Sequence, residues 1–362
     1  MNRVLNCVLS GIALGIFICL MSSQPVAAQC PSGWGQSQYR IASNDWTSAV
    51  QPVDVSAISG PNGTFQLGSG SEIASMGDGG AFLLNSGDHT IYHLTLATAG
   101  PAKGLPGWTG SFNISDLPPT PQNPVQGTLR NIQVLGGMLY AWTDAGSLMA
   151  LASNPNNPVQ FLFTAGAFNF GGSIAGITFD GQYLWGASGG YLWQLNPGSV
   201  SRASTTLPSL VNKYPMTGVT VGALAFDGNY IWILANGSGL IKIDPSTGQQ
   251  VASASARYFT ETSLLFDGYD LWFGNGGNGV SRMDPATMTL TTLTAPGVSV
   301  YTVMGLDRDA VWAESASGIA RFRACDSQFI GNLALSSIPW QTVYDGVEHW
   351  ITYKDTNLLS IR

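Results

Sequence analysis

Short apolar runs alternate with turns rich in glycine and aspartate along most of the chain, and one pattern of runs and turns recurs. In its clearest copies an apolar run ends at Asp-Gly and a second run containing Trp follows at once: GITFDGQYLWGAS around Asp180, ALAFDGNYIWILA around Asp227, SLLFDGYDLWFGN around Asp267, VMGLDRDAVWAES around Asp307 and QTVYDGVEHWITY around Asp345. Two weaker copies precede these, IASMGDGGAFLLN at Asp78 and IQVLGGMLYAWTD with Gly136 at the aspartate position. The chain therefore contains seven copies, whose aspartate positions lie 38 to 58 residues apart.

Each copy has the composition of consecutive β-strands. Asp-Gly accepts the positive φ angles of a tight hairpin turn, and the second run is rich in the aromatic and β-branched residues that strands favour. Several copies continue with a third run and a polar turn, as in GLIKIDPSTG and GVSRMDPATM. Four antiparallel strands repeated about every 40–45 residues indicate the blade of a β-propeller. No long stretch after the leader has a helical apolar period, so few helices are expected.

The units resemble the blades of bacterial secreted seven-bladed β-propellers of the YVTN, NHL and quinoprotein-like kind. The resemblance covers roughly residues 70–362 and is carried by the FDGxYLW and IDPxTG motifs. It implies an all-β fold of seven four-stranded antiparallel blades, with the repeated Trp residues packed between blades. These motifs specify blade geometry, and the superfamily includes enzymes, electron-transfer proteins and scaffolds, so the resemblance implies no single activity.

Residues 1–28 have the features of a secretory signal peptide. Arg3 gives a positive start, Val8 to Leu20 is an uncharged apolar run, and Val26 to Ala28 offers small residues for cleavage. A membrane anchor is the alternative, but the run is shorter than the roughly 20 residues needed to span a bilayer. We therefore expect a periplasmic or secreted protein whose mature chain has no membrane span.

The ends of the mature chain are predicted to meet. The last copy stops after its third run, so its fourth strand should come from the N-terminal segment, with Thr64 to Leu67 as the candidate. Cys30 and Cys325 are the two cysteines left after the leader, and an oxidising compartment favours a disulfide between them over two free thiols. We therefore expect residues 29–69 to be an N-terminal extension with the closing strand, and residues 70–362 to form the propeller. Residues 30–60 exceed what closure needs and could form either an extension or a degenerate eighth blade.

Composition narrows the function classes. Only 10% of the residues are charged, against roughly 25% in an average chain, which excludes a coiled coil and a charge-driven disordered chain. The net charge is −7 and no Lys/Arg cluster occurs, so a nucleic-acid partner is not expected. A monomer is expected because a closed ring leaves few strand edges.

The innermost strands, which run up to each aspartate position, carry the candidate site. If alternate residues face the channel, the channel wall is small or apolar, with Thr178, Ser263 and Gln341 as its polar side chains. Charged and aromatic residues then gather at the channel mouth: Glu72, Arg130, Glu261, Tyr301 and Trp340. Two carboxylates there could bind a hard cation or divide acid and base roles, and Arg130 could hold an anion. The alternative is a rim ion pair between Arg130 and a glutamate.

Known enzyme patterns on this fold fit the sequence poorly. Gluconolactonase-type propellers hold a metal with carboxylates deep in the channel, where this chain has none. Streptogramin lyase-like propellers use a catalytic histidine, whereas the histidines of this chain fall outside the innermost strands: His89, His93 and His349. His89 and His93 are expected on one face of a strand. We find no nucleophile motif, no dinucleotide fingerprint and no metal-ligand set, so no cofactor is expected.

The sequence thus favours an exported, non-catalytic binding or scaffold propeller that presents a loop face to a protein or saccharide partner. The alternative is a secreted, metal-assisted hydrolase or lyase with its site at the channel mouth. Whether the protein is an enzyme stays open at this point.

Overall fold

The computed structural model of the chain describes residues 53–77, 79–96, 105–117, 124–153, 161–164, 166–201, 205–236, 239–255, 263–275, 279–306, 310–345 and 348–361. The predicted leader, Cys30 and Glu261 lie outside these ranges. Within them the chain is almost entirely β, and the helical part is one 3-10 turn at Ile114–Asp116. Among the described residues, no helix is long and apolar enough to cross a membrane.

The strands build twisted antiparallel sheets in chain order. The first strand, β1 (Val53–Val55), joins the last sheet of the ring. Blade 1 is a six-stranded sheet of order β3-β2-β7-β6-β5-β4, made of β2 (Ala57–Gly60), β3 (Gly63–Gln66), β4 (Glu72–Ala74), β5 (Gly80–Asn85), β6 (Thr90–Leu96) and β7 (Pro106–Phe112). Blade 2 has five strands, with β12 paired to β10: β8 (Leu129–Leu135), β9 (Met138–Thr143), β10 (Ser147–Ser153), β11 (Phe161–Phe163) and β12 (Phe168–Asn169).

Blades 3 to 6 are regular four-stranded sheets. Blade 3 contains β13 (Gly176–Phe179), β14 (Leu184–Ser188), β15 (Tyr191–Asn196) and β18 (Ser209–Pro215), with a small hairpin of β16 (Ser199–Val200) and β17 (Thr205–Thr206) before its outer strand. Blade 4 contains β19 (Thr220–Phe226), β20 (Ile231–Asn236), β21 (Gly239–Asp244) and β22 (Gln249–Ala254). Blade 5 contains β23 (Leu264–Phe266), β24 (Leu271–Gly274), β25 (Val280–Met283) and β26 (Leu290–Leu293). Blade 6 contains β27 (Val300–Leu306), β28 (Ala310–Ser315), β29 (Gly318–Arg323) and β30 (Phe329–Ala334).

A composite sheet joins the two ends of the chain. It contains β31 (Pro339–Tyr344), β32 (His349–Tyr353) and β33 (Leu359–Ile361), and β1 pairs with β33 as its outer strand. The register sets Val53 opposite Ile361 and Val55 opposite Leu359. The closing strand is therefore Val53–Val55, and the expectation of Thr64 to Leu67 was wrong.

The segment expected to close the ring instead extends blade 1. Ala57–Gly60 and Gly63–Gln66 form a hairpin that joins the outer strand of blade 1 through a parallel contact between Ser59 and Gly107. Phe65 stacks on Tyr92 with ring centroids 3.8 Å apart. Phe65 is buried there among residues of blade 1 that include Trp108, so the packing of this apolar side chain stabilises the hairpin on blade 1.

The prediction of an all-β propeller is confirmed, and the blades are mostly four-stranded and antiparallel, but the prediction of seven four-stranded blades needs correction. The described residues form six blades that are each built from one stretch of chain, and the composite sheet lies between blade 6 and blade 1. Blades 1 and 2 also carry extra strands. A sheet shared by the two ends of the chain had been predicted from the last copy of the repeat, whereas the extra strands of blades 1 and 2 had not.

The repeated aspartate holds both the turn and the buried tryptophan of its blade. At Asp180, Oδ1 accepts the backbone N–H groups of Gln182 at 2.8 Å and Tyr183 at 2.6 Å, and Oδ2 accepts Nε1 of Trp185 at 2.7 Å. The same tryptophan–aspartate bond recurs at 2.7 Å in three other sheets: Trp232–Asp227, Trp272–Asp267 and Trp350–Asp345. These tryptophans are fully buried in the clusters between blades, as predicted. Turn chemistry alone therefore does not account for the aspartate.

Candidate binding site at the channel mouth

Four of the five predicted site residues lie where inner strands begin. Glu72 is the first residue of β4, and the other three are each second in their strand: Arg130 in β8, Tyr301 in β27 and Trp340 in β31. The inner strands of neighbouring sheets run side by side, since Gly176 lies against Ala223 and Leu224 and Gly305 against Thr342. The four residues thus share one rim of the ring, which we call the loop face. Glu261 lies outside the described residues.

Glu72 is held by two residues of the composite sheet. Nε1 of Trp340 donates to Oε1 of Glu72 at 2.9 Å, and Nε2 of Gln341 donates to Oε2. Oε1 of Gln341 in turn accepts the backbone N–H of Ile73 at 2.7 Å. This network ties blade 1 to the composite sheet at the mouth. Gln341 was predicted as a polar channel residue, but its bond to Glu72 was missed because the two residues are far apart in sequence.

The carboxyl group of Glu72 is perturbed by its surroundings. Glu72 is only 7% exposed. Burial raises the pKa of Glu72 to about 7, although the hydrogen bonds from Trp340 and Gln341 act to lower it. Glu72 therefore changes its charge near neutral pH, where an ordinary glutamate is ionised.

Arg130 forms an ion pair within blade 2. Its Nε lies 3.6 Å from Oδ2 of Asp144, and about half of each side chain is exposed. A backbone hydrogen bond from Thr128 is the main cause that lowers the pKa of Asp144, and Arg130 adds to it. The ion pair of Arg130 is therefore with an aspartate of its own blade, whereas the sequence suggested a glutamate. Such an exposed pair contributes little to stability.

The aromatic residues of the rim differ in exposure. Tyr301 is 41% exposed, whereas Trp340 is half-buried. Nζ of Lys354 lies 5.5 Å from the centre of the Trp340 ring and 3.3 Å from a carboxylate oxygen of Glu314. The rim thus combines aromatic surface with fixed charges of both signs.

A cavity of about 450 Å³ lies at the channel, lined by residues of every inner strand. Consecutive residues of one strand line it, for example Ile73, Ala74 and Ser75. Ile73 packs in the cluster with Trp350 of the composite sheet, while Ala74 packs with Ile132 of blade 2. The predicted alternation between channel and core was therefore wrong. Because the sheets stack face to face, alternate residues face the two neighbouring blades, and the inner strand turns its edge toward the channel.

Two side chains of the cavity wall are buried and have no hydrogen-bond partner within the described ranges. The atoms concerned are Nε1 of Trp142, which is 6% exposed, and Oγ1 of Thr342, which is 4% exposed. Trp142 lies one position beyond the repeated tryptophan site, in the blade where Gly136 replaces the aspartate. The sequence shows this shift, although its consequence for Nε1 was not predicted. A donor of this kind can bind a ligand carbonyl or hydroxyl group.

The histidines lie away from the mouth. His89 is in the turn before β6 with a φ of 55°, so it does not share a strand face with His93, as had been expected. His93 lies in β6 and stacks on Phe82 at 4.8 Å, and His349 lies in β32 and stacks on Trp312 at 4.0 Å. All three histidines therefore lie outside the inner strands.

A metal site is not formed by the residues that the structure describes. Within those ranges, no three His, Cys, Asp or Glu side chains are grouped so that they could hold an ion. The idea of a pair formed by Glu72 and Glu261 stays a prediction, as does the disulfide between Cys30 and Cys325, since one partner of each lies outside the described ranges.

The comparisons with known proteins identify the fold class. No family model and no curated protein matches the chain. Among solved structures, BamB from Moraxella catarrhalis is 9% identical, with 82% of this chain and 86% of that chain covered and a TM-score of 0.51. A streptogramin B lyase structure is 16% identical, with 81% and 93% covered and a TM-score of 0.55. At these identities the likeness shows the fold alone, a β-propeller.

Proposed function

We propose that the protein is an exported, non-catalytic binding or scaffold propeller that presents its loop face to a protein or saccharide partner. The observation that carries this proposal is the network at the mouth, in which both carboxylate oxygens of Glu72 already accept hydrogen bonds from Trp340 and Gln341. A group fixed in this way stabilises a rigid surface.

The same network argues against acid–base chemistry at Glu72. A general acid or base must come within hydrogen-bond distance of the atom that exchanges its proton. Glu72 is 7% exposed and has its oxygens occupied. Arg130, which could have held an anionic substrate, is paired with Asp144. These contacts favour binding over the metal-assisted hydrolase or lyase.

The composition of the loop face supports a partner surface. Tyr, Trp and Arg are the residues most often found where interfaces gain their binding energy. Tyr301, Trp340 and Arg130 lie on this rim, and Tyr301 is 41% exposed. The predicted leader at residues 1–28 supports a place in the periplasm or outside the cell.

A photo-cross-linking amino acid at position 301 tests the proposal in the producing cell. The matched control is position 269, because Tyr269 is also exposed but lies in the turn that ends an inner strand, on the opposite rim. We expect a discrete adduct from position 301 and none from position 269. The purified partner should then bind Tyr301→Ala more weakly than Tyr269→Ala.

A saccharide partner is tested with the same two alanine variants on a glycan array. Selective loss of a bound glycan in Tyr301→Ala would support the proposal. Equal adducts from both positions, or equal binding of a cross-linked protein by both variants, would exclude the loop face as the surface for a protein partner. Equal glycan binding by both variants would exclude the loop face as the surface for a saccharide.

A further inference from the structure

A second concave site lies on the other rim of the ring, between blades 3 and 4. This groove has a volume of about 560 Å³. We propose that it binds a neutral saccharide. The residues that carry this inference are two aromatic side chains and four amide side chains: Tyr183, Phe226, Gln182, Gln194, Asn212 and Asn229.

The two Asp-Gly turns build the mouth of the groove. Gln182 and Asn229 stand two residues after Asp180 and Asp227, so they hold equivalent positions in neighbouring blades. The corresponding residue of blade 5 is Tyr269. Both amide side chains are exposed, and because the backbone of each turn is fixed by its aspartate, they are presented on a rigid frame.

Gln194 forms the floor of the groove and is only 5% exposed. Its Oε1 accepts Nδ2 of Asn212 at 2.7 Å and the hydroxyl of Tyr214 at 3.4 Å. Because the oxygen is held in this way, the amide nitrogen of Gln194 carries the N–H group that this residue can offer to a ligand. A ligand hydroxyl in the groove would accept this N–H group.

The charge of the groove favours an uncharged ligand. The one ionisable carboxylate in its lining is that of Asp180, whose oxygens already accept three hydrogen bonds. Among the described residues of the lining there is no Lys or Arg, so an anion would find no opposite charge, and a cation would meet only a carboxylate whose oxygens are engaged by its own turn and by Trp185. Amide groups can both donate to and accept from adjacent hydroxyls, and the half-buried Tyr183 and Phe226 offer apolar surface for the carbon face of a sugar ring.

Calorimetric titration of the mature protein with cellotetraose, maltotetraose and chitotetraose tests this proposal. We expect at least one of these neutral tetrasaccharides to bind. Asn212→Ala and Gln194→Met should each weaken that binding by roughly three- to tenfold, the effect of one lost hydrogen bond. Asn229→Ala should also weaken saccharide binding. It should leave the fold intact, because the side chain of Asn229 is exposed and the turn is held by backbone bonds to Asp227.

Asn196→Ala is the matched control, because Asn196 lies in the same strand as Gln194 but bonds Ser209 outside the groove. Binding by Tyr301→Ala should equal that of the unmodified protein, which separates this site from the loop face. The proposal is overturned if none of the three tetrasaccharides binds at millimolar concentration, if the groove variants bind as well as Asn196→Ala, or if a charged tetragalacturonate or a tetrapeptide binds in their place.

Discussion

Ionisation of Glu72 should make the protein less stable as the pH rises, and Glu72→Gln should remove this dependence. Burial raises the pKa of Glu72 from its ordinary value of 4.5 to about 7. Between these two values the folded protein keeps a proton that the unfolded chain releases. The free energy of unfolding therefore falls as the pH rises through this window and levels off above it.

The size of the effect follows from the difference between the two pKa values. The difference is 7 − 4.5 = 2.5 pH units, and each unit corresponds to 1.36 kcal/mol, so the loss amounts to about 3 kcal/mol. In Glu72→Gln an amide nitrogen faces Nε2 of Gln341, which removes one hydrogen bond and costs about 1 kcal/mol at every pH. The variant should thus be the less stable protein near pH 5 and the more stable one near pH 8.

Urea unfolding of both proteins, followed from about pH 4.5 to about pH 8.5, measures this crossing. Burial also raises the pKa values of Asp270 and Glu348, but these groups are present in both proteins and cancel in the difference. Two parallel stability curves would refute the reasoning, because they would show that Glu72 is ionised across the whole range.

Three further outcomes are expected. Asp227→Asn should lower the free energy of unfolding by roughly 2–3 kcal/mol, because Nε1 of Trp232 loses its carboxylate acceptor. The control is Asp355→Asn: Asp355 is exposed and accepts one bond from the hydroxyl of Ser337, which an amide oxygen can keep, so the change should be less than about 0.5 kcal/mol. Equal urea midpoints for the two variants would contradict the tryptophan–aspartate bond. Removing residues 1–56 deletes β1 and exposes the edge of β33, so the melting temperature should fall and light scattering should detect self-association. A truncated protein that stays monomeric with an unchanged melting temperature would contradict ring closure by β1. Peptide mapping without reductant should recover Cys30 linked to Cys325, and two free thiols would disprove that pairing.

The blades were predictable because their signals are local. The turn after Asp180 needs a glycine with positive φ, and Gly181 has a φ of 96°. The two-residue period and the repeated tryptophan follow from the same short segment. A reader of the sequence can therefore place most strands without knowing how the blades meet.

The failures concern pairing over long distances. Val53–Val55 and Thr64 to Leu67 are both short strand-like segments, and they differ in their distant partners. The first pairs with Leu359–Ile361, while Phe65 of the second stacks on Tyr92. At the channel, the two-residue period separates the faces of each inner strand but does not say what each face contacts. Glu72 could be placed at the mouth, whereas its bonds to residues of the composite sheet depend on closure.

The most direct test of the central proposal is a thermal melt of the mature protein with chelator, then with Ca²⁺, Mg²⁺, Mn²⁺ or Zn²⁺ restored, beside Glu72→Gln as the control. An ion that binds only the folded protein raises the melting temperature by mass action. Because both oxygens of Glu72 already accept hydrogen bonds, we predict that neither chelator nor ions change the melting temperature. If chelator lowers it, one ion restores it and Glu72→Gln abolishes the response, the mouth is a metal site and the enzyme hypothesis replaces the binding protein.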